Sequence, residues 1–284
     1  MIPAAFGYQR PTTLEEALLA ISNGGSGAGV KVIAGGQSLL PLLKMRLASA
    51  EMLVDIGRIA ELKGLGPTPD GGYEIGALVT YAELIAATKL GWTAEAVEQI
   101  GDVQVRNRGT VGGSVAHCDP ASDLPAIGLA LDYSVVLRSS RGERVVPLDG
   151  FFRGPFQTGI ASDELLVKMR RGPLPAGASG AYRKLAQPAS GYSVVGVAAV
   201  VALTGGSITH ARVALTGVGE APYRANAVEA ALVGSDGSSA AVAAAAAHAT
   251  DGQTVSNDIH ADREYRGQMA IIYTRRAIEG ALGR

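Results

Sequence analysis

The sequence predicts an α+β protein in which a region of short strands and helices precedes a domain built on an antiparallel sheet. Residues 12–56 contain a helix, a strand, a helix and a strand, in that order. A segment rich in glycine and proline at 172–180 reads as a linker. Beyond it, three strand-like runs are followed by alanine-rich helices, and such separate blocks are typical of α+β domains.

The first region is expected to form a small α/β unit. Thr13 and Glu16 have the spacing of a capping box at the start of a helix. A glycine-rich loop at 23–29 leads to a strand at 30–33 and a helix at 39–46, and a strand at 52–56 completes the unit.

From residue 67 onward the pattern predicts short elements and then the antiparallel sheet. Thr80 and Glu83 mark another capped helix start, and Gly205–Gly206 is a hairpin turn between two of the later strands. The expected strands are 73–77, 134–137, 143–147, 165–169, 181–185, 193–203 and 208–216; the further helices are 93–100, one ending at 131, 225–232, 239–249 and 262–282.

Composition indicates a folded, mostly aliphatic protein without a charge bias. Of its 284 residues 47% are hydrophobic and 5% aromatic, which suffices for a core. Glycine supplies 38 residues, about twice the usual share of about 7%. The formal net charge of −1 gives no reason to expect a nucleic-acid partner.

The same composition excludes several classes of site. With Cys118 as the one cysteine, the chain cannot form a disulfide framework or ligate an iron–sulfur cluster itself. The four histidines lack ligand spacing, so no metal site is expected. No signal peptide is recognisable and the longest apolar run, 194–203, is half a membrane span, so we expect a cytoplasmic protein.

Two glycine pairs, each followed by a polar residue, are the candidate functional motifs. Gly35–Gly36 ends a predicted strand, and Gly112–Gly113 precedes Ser114. Glycine permits positive φ and leaves no Cβ in a turn, so successive backbone N–H groups can point at the oxygens of a phosphate. Two such turns could hold one diphosphate, although each alone is equally well explained as an ordinary tight turn.

Other motifs have simpler explanations or are absent. The glycines at 25–29 and 217–219 do not fit the G-x-G-x-x-G pattern of a Rossmann site, and no Walker motif occurs. Cys118 lacks an activating partner and is interpreted as an inert thiol. Asp119 and Asp123 fit a polar loop that caps a helix, and Arg106 and Arg108 fit solvated side chains.

Three segments together resemble the FAD-binding medium subunit of molybdenum hydroxylases, the family of carbon monoxide dehydrogenase and the xanthine dehydrogenases. They are AGGQSLLP at 34–41, QVRNRGTVGGS at 104–114 and DPASDLP at 119–125. Segments at 3–11, 217–222 and 264–277 also match, so the resemblance covers nearly the whole chain. Each motif alone is weak, but their order and separations make the set specific.

The resemblance implies a two-subdomain FAD-binding fold of the vanillyl-alcohol oxidase type and a C-terminal domain with a three-stranded antiparallel sheet and helices. The implied boundaries are 1–57 and 58–175 for the FAD-binding subdomains. The remaining residues, 176–284, form the C-terminal domain of the carbon monoxide dehydrogenase flavoprotein type.

The resemblance also implies which residues hold FAD. The diphosphate would contact backbone N–H groups of both glycine segments, Asp123 would accept from the ribityl chain, and Lys184 and Tyr192 would lie near the isoalloxazine ring. No catalytic side chain or metal ligand is expected. The implied FAD-binding residues are Val32, Ile33, Ala34, Gly35, Gly36, Gln37, Ser38, Leu39, Ile100, Thr110, Val111, Gly112, Gly113, Ser114, Asp123, Leu165, Leu166, Lys184 and Tyr192.

As a function, the resemblance implies an oxidoreductase subunit that carries electrons. A large partner would hold the molybdenum cofactor and a small partner the 2Fe-2S clusters, in a dimer of heterotrimers. FAD on this chain would pass electrons to an external acceptor such as a quinone, NAD or oxygen. Two alternatives stay open: a stand-alone flavin oxidase or reductase of the same fold, which needs its own proton donor, and an assembly subunit that has lost its cofactor.

Overall fold

A computed structural model describes residues 2–23, 29–87 and 91–284. The glycine-rich loop expected at 23–29 lies mostly outside these ranges. Within them, every helix is too short or too polar to span a membrane.

The first sheet has three parallel strands. They are β1 (Gly7–Gln9), β2 (Val30–Ile33) and β3 (Met52–Asp55), with β3 in the centre. Helix α1 (Leu14–Asn23) packs its apolar side chains on this sheet, and helix α2 (Leu39–Lys44) follows β2. The capping box expected at Thr13 and Glu16 is confirmed, with each backbone N–H donating to the other side chain.

The second sheet is antiparallel and has five strands. In sheet order these are β4 (Leu65–Pro67), β5 (Tyr73–Gly76), β10 (Leu165–Arg171), β6 (Ser134–Ser139) and β7 (Gly142–Pro147), and a hairpin of β8 (Phe152–Gly154) and β9 (Gln157–Thr158) lies beside them. The helices of this region are α3 (Tyr81–Ala86), α4 (Trp92–Glu98), α5 (Val103–Arg106), α6 (Val111–His117) and α7 (Asp123–Ala130). Thr80 and Glu83 form the predicted capping box at α3.

The second glycine pair is helical, so its prediction as a turn is wrong. Gly112 and Gly113 lie in the first turn of α6, although glycine is a poor helix former. The start of this helix is held by tertiary contacts: the N–H of Val111 donates to the Val79 carbonyl at 2.9 Å and that of Gly112 to the Ala77 carbonyl at 3.0 Å. A Cβ at Gly112 would come within 2.5 Å of the Ala77 Cβ, so this close approach requires glycine.

The C-terminal domain contains the predicted antiparallel strands and a short fourth one. Strands β11 (Ala178–Ala186), β12 (Ser193–Thr204), β13 (Ser207–Thr216) and β14 (Tyr223–Arg224) pair in sequence order. The turn at Gly205–Gly206 has φ of 61° and 81°, as a two-residue hairpin turn requires. Helices α8 (Asn226–Leu232), α9 (Ser239–Ala246) and α10 (Arg263–Ala281) complete the domain.

One apolar core joins the C-terminal sheet to the five-stranded sheet region. Val135 and Leu137 of β6 belong to the same buried cluster as Tyr182, Ala198 and Ala214 of the C-terminal sheet. The three domain ranges implied by the resemblance remain predictions. The shared core nevertheless means that the C-terminal domain is packed against the rest of the chain and not tethered by a linker alone.

Candidate functional site

A cavity of about 580 Å³ lies between the first sheet and the region that contains the five-stranded sheet. Its walls come from the end of β2 and the start of α2, from the start of α6, and from the start of β10. Fourteen of the nineteen residues expected at the cofactor line it: Val32, Ile33, Ala34, Gly35, Gly36, Gln37, Ser38, Leu39, Thr110, Gly112, Gly113, Ser114, Leu165 and Leu166.

The two glycine segments touch backbone to backbone at this cavity. A Cβ added to Gly35 would lie 1.9 Å from the carbonyl oxygen of Arg108 and 3.1 Å from the Cα of Gly109. Any side chain at position 35 would therefore force the segments apart. Gly36 adopts a φ of 76°, a left-handed conformation that favours glycine. The sequence thus brings the segments together by omitting side chains where they meet.

The first glycine segment presents hydrogen-bond donors to the cavity. Among the described residues, no protein acceptor is bound by the backbone N–H groups of residues 35–38. Successive N–H groups in a glycine turn form a concave site for an anion. A diphosphate fits these donors and the side-chain-free surface at Gly35.

The second glycine segment, residues 110–114, was also expected to offer free backbone N–H groups, and it does not. The N–H groups of Val111, Gly112 and Ser114 donate to backbone carbonyls, and that of Gly113 donates to the Thr110 hydroxyl at 3.2 Å. Their donor capacity is therefore already used. This segment lets the first glycine segment pack against its backbone, and its Thr110 and Ser114 side chains form part of the cavity wall. It does not supply the free N–H groups that were expected of a second glycine turn.

Aromatic and apolar side chains line another part of the cavity. Leu165 and Leu166 were expected there, whereas His117, Phe156 and Ile160 were not. The rings of His117 and Phe156 lie 5.0 Å apart, and Ile160 lines the same cavity as Leu165 and Leu166. Burial lowers the pKa of His117, so this ring is uncharged at neutral pH. Such a surface suits a flat heteroaromatic group.

Two further titratable groups at the cavity are held in one protonation state. Arg144 Nε and Nη2 each donate to a Glu164 carboxylate oxygen at 2.6 Å, and these bonds lower the pKa of Glu164. Burial raises the pKa of Tyr81 to about 12. At neutral pH Glu164 is therefore a paired carboxylate and Tyr81 a neutral phenol.

The other five expected residues do not line this cavity. Asp123 and Lys184 form a buried ion pair, 2.9 Å between Nζ and Oδ2. Ile100 is partly buried and its carbonyl accepts from Arg106 Nη1 at 3.1 Å, so Arg106 is more than a solvated side chain. Val111 is buried in the core. Tyr192 lines a second cavity of about 280 Å³.

Cys118 fits its interpretation as an inert thiol. It is buried at the end of α6 with a φ of 50°, and its thiol donates to the Gly154 carbonyl at 3.5 Å. Burial raises the pKa of this thiol to about 11. The reactive thiolate is therefore scarce at neutral pH.

Comparison with known proteins agrees with this geometry. Residues 4–171 match the family model of the FAD binding domain in molybdopterin dehydrogenase, and residues 180–281 match that of the CO dehydrogenase flavoprotein C-terminal domain. The chain is 37% identical to the carbon monoxide dehydrogenase medium chain of Hydrogenophaga pseudoflava, covering 100% of this chain and 99% of that protein. It is 36% identical to subunit alpha of the 6-hydroxypseudooxynicotine dehydrogenase complex of Paenarthrobacter nicotinovorans, covering 100% and 97%.

Solved structures give the same result. Carbon monoxide dehydrogenase from Hydrogenophaga pseudoflava, in a form that lacks the Mo-pyranopterin moiety, superposes with a TM-score of 0.95 and 39% identity over 100% of this chain and 99% of that chain. Quinoline 2-oxidoreductase from Pseudomonas putida 86 superposes with a TM-score of 0.91 and 32% identity over 100% and 99%.

Proposed function

The chain belongs to the family of FAD-binding medium subunits of molybdenum hydroxylases, and from this membership we propose that it carries electrons between its partner subunits and an external acceptor. It is the FAD-binding subunit of a multi-subunit oxidoreductase. We propose that a large subunit with the molybdenum cofactor and a small subunit accompany it. We propose that electrons arrive from 2Fe-2S clusters on the small subunit. The acceptor is a quinone, NAD or oxygen, and the complex is a cytoplasmic dimer of heterotrimers.

The contact between the two glycine segments is the observation that carries this proposal. It brings both segments to one cavity, beside the N–H groups of residues 35–38, which bind no acceptor among the described residues. This arrangement suits the diphosphate of FAD. The apolar surface at Leu165 and Leu166 suits a flat ring of the same ligand. Bound FAD supplies two-electron and one-electron redox chemistry, and the protein supplies binding and orientation.

The side chains around the cavity are suited to binding rather than to proton transfer. Glu164 is held by Arg144, the pKa of His117 is lowered by burial, and Tyr81 has a pKa of about 12. The names of two relatives refer to carbon monoxide and to 6-hydroxypseudooxynicotine, which share no chemistry that one pocket could recognise. We therefore propose that the organic substrate binds on another subunit.

The proposal is tested on the complex purified through a tag on this chain. We expect the large and small subunits to copurify in equal amounts with FAD, and light scattering to give the mass of two heterotrimers. After partial chemical reduction, the 2Fe-2S signal in electron paramagnetic resonance should fall as an added acceptor is reduced.

Removal of FAD supplies the control. The FAD-free complex should keep reducible clusters and lose acceptor reduction, and added FAD should restore it. Acceptor reduction at an unchanged rate without FAD would refute the electron-transfer role. Oxidation of an organic substrate by the isolated chain would instead support a stand-alone flavin enzyme.

A further inference from the structure

The tip of the β8–β9 hairpin holds an aromatic side chain in an unfavourable backbone conformation. Gly154 and Gln157 pair across the hairpin, so Pro155 and Phe156 form its turn. Phe156 has a φ of 57°. Turns that place a positive φ directly after proline usually have glycine or asparagine there, and a bulky residue with positive φ is an outlier. The chain therefore keeps a phenyl ring where glycine would form the turn more easily.

Contacts with the end of α6 hold this turn in place. The Phe156 N–H donates to the Cys118 carbonyl at 2.9 Å, and the Cys118 thiol donates to the Gly154 carbonyl at 3.5 Å. The phenyl ring lies 5.0 Å from the His117 ring, with an angle of 47° between the ring planes. Because α6 begins within the second glycine segment, these contacts fix the turn relative to the cavity wall.

The same contacts do not bury the phenyl ring. Phe156 is 57% exposed, and it lines the cavity together with Leu47, which is also exposed. The ring therefore contributes little to the core, since an apolar side chain stabilises the fold through the area that it buries. Residues held in sparsely populated backbone conformations cluster at ligand sites. A half-exposed aromatic side chain on a cavity wall suits a flat aromatic ligand, because stacked rings attract each other beyond the area that they bury.

We propose that Phe156 stacks on one of the two flat rings of FAD, the adenine or the isoalloxazine, and that the hairpin turn holds the phenyl ring at the cavity for this contact. The inference rests on the proposed binding of FAD in this cavity. Both rings are planar heterocycles, so the same contact is available to either. The cost of the positive φ is then offset when the cofactor covers the phenyl group.

The test compares variants of the full chain, purified with the subunits that accompany it and stripped of FAD. Affinity for FAD is measured from the quenching of flavin fluorescence, and stability from melting temperatures without FAD. Phe156→Gly removes the ring and gives the turn the residue that its φ favours. This variant should keep or raise the melting temperature, yet weaken FAD binding about tenfold.

Two further variants separate the ring from the backbone. Phe156→Leu keeps the positive φ and an apolar side chain but cannot stack, so it should weaken FAD binding about fivefold. Phe156→Tyr keeps an aromatic ring and should bind FAD as the wild type does. Tyr265→Leu is the matched control, since Tyr265 is 47% exposed and is not among the residues that line the cavity. This control should keep the wild-type affinity.

The Phe156→Leu variant also shows which ring is in contact. Weaker binding of ADP, measured by titration calorimetry, with unchanged visible circular dichroism of bound FAD would assign the adenine. Unchanged binding of ADP with altered visible circular dichroism would assign the isoalloxazine.

Wild-type FAD affinity of Phe156→Leu and Phe156→Gly would overturn the inference. A melting temperature of Phe156→Gly below that of the wild type would overturn it as well, because the ring would then serve the fold. Either result would leave the electron-transfer role intact if the wild-type complex still binds FAD. Absence of FAD from the wild-type complex would count against the proposed function itself.

Discussion

Gly35 allows the two glycine segments to meet at the cavity because it has no side chain. Gly35→Ala would place a Cβ 1.9 Å from the Arg108 carbonyl oxygen, and relieving such overpacking costs about 1–3 kcal/mol. Because the relief must separate the two glycine segments, we expect FAD binding to weaken by roughly ten- to a hundredfold, measured as FAD content and by fluorescence titration.

Gly66→Ala is the matched control for that substitution. Gly66 lies in β4, and no atom lies within 4 Å of a Cβ built there. This variant should bind FAD as the wild type does. A Gly35→Ala protein with wild-type affinity would show that the close approach of the two segments is not needed for binding.

Glu164 makes the stability of the cavity wall depend on pH. Its hydrogen bonds to Arg144 lower its pKa below the value of about 4.5 in an unfolded chain. The ionised pair therefore stabilises the fold above that pH, and this contribution is lost as the pH falls through the folded-state pKa. We expect Glu164→Gln to cost about 2 kcal/mol at pH 7, measured by urea unfolding, and progressively less toward pH 3.

Exposed Glu95 on α4 provides the comparison, since it has no ion-pair partner in the described part of the chain. Glu95→Gln should change stability little at any pH. A deficit for Glu164→Gln that stays constant from pH 7 to pH 3 would contradict the assigned role of the pair.

At the scale of elements, helix α10 begins at a side-chain cap. Asp262 has an extended backbone and its carboxylate accepts from the Tyr265 N–H at 2.8 Å. Removing such a cap costs about 1 kcal/mol, so Asp262→Ala should lower the free energy of unfolding by that amount in urea titrations. Asp262→Asn retains an acceptor and should stay close to wild type. Equal losses in both variants would assign the effect to charge and not to capping.

Elements with strong local signals were predictable from sequence, and those formed by tertiary contacts were not. The capping boxes at Thr13 and Thr80 and the hairpin at Gly205–Gly206 were found because each motif lies within a few residues. Strand β1, of three residues, exists because it pairs with β3. Helix α6 contains two glycines, and distant carbonyls hold its first N–H groups. The residues within β1 and α6 do not reveal these distant partners, so local propensity could not predict either element.

At the scale of the whole molecule, the shared core predicts cooperative unfolding. Buried residues of β6 and of the C-terminal sheet form one cluster, and the Asp123–Lys184 ion pair spans the same boundary. We expect one calorimetric transition whose calorimetric and van't Hoff enthalpies agree. Two separated transitions would show that the C-terminal domain unfolds independently.

In the candidate site too, motifs formed by neighbouring residues were predictable from the sequence, and contacts between distant residues were not. The two glycine segments were recognisable because a glycine pair leaves the backbone without side chains, and residues 35–38, Thr110 and 112–114 do line one cavity. The side chains that bind Asp123 come from strands more than fifty residues later. Nothing in the local pattern of Tyr182 or Ser193 distinguishes them from ordinary residues of a buried sheet.

The cavity wall has a consequence for synthesis of the protein. Its lining extends from Lys31 to Leu166, so a nascent chain on the ribosome cannot enclose a ligand there until more than half of its length has emerged. The N-terminal sheet can form early, since chains fold from the N-terminus as they are made. We therefore expect the flavin to be enclosed only after residue 166 has left the ribosome.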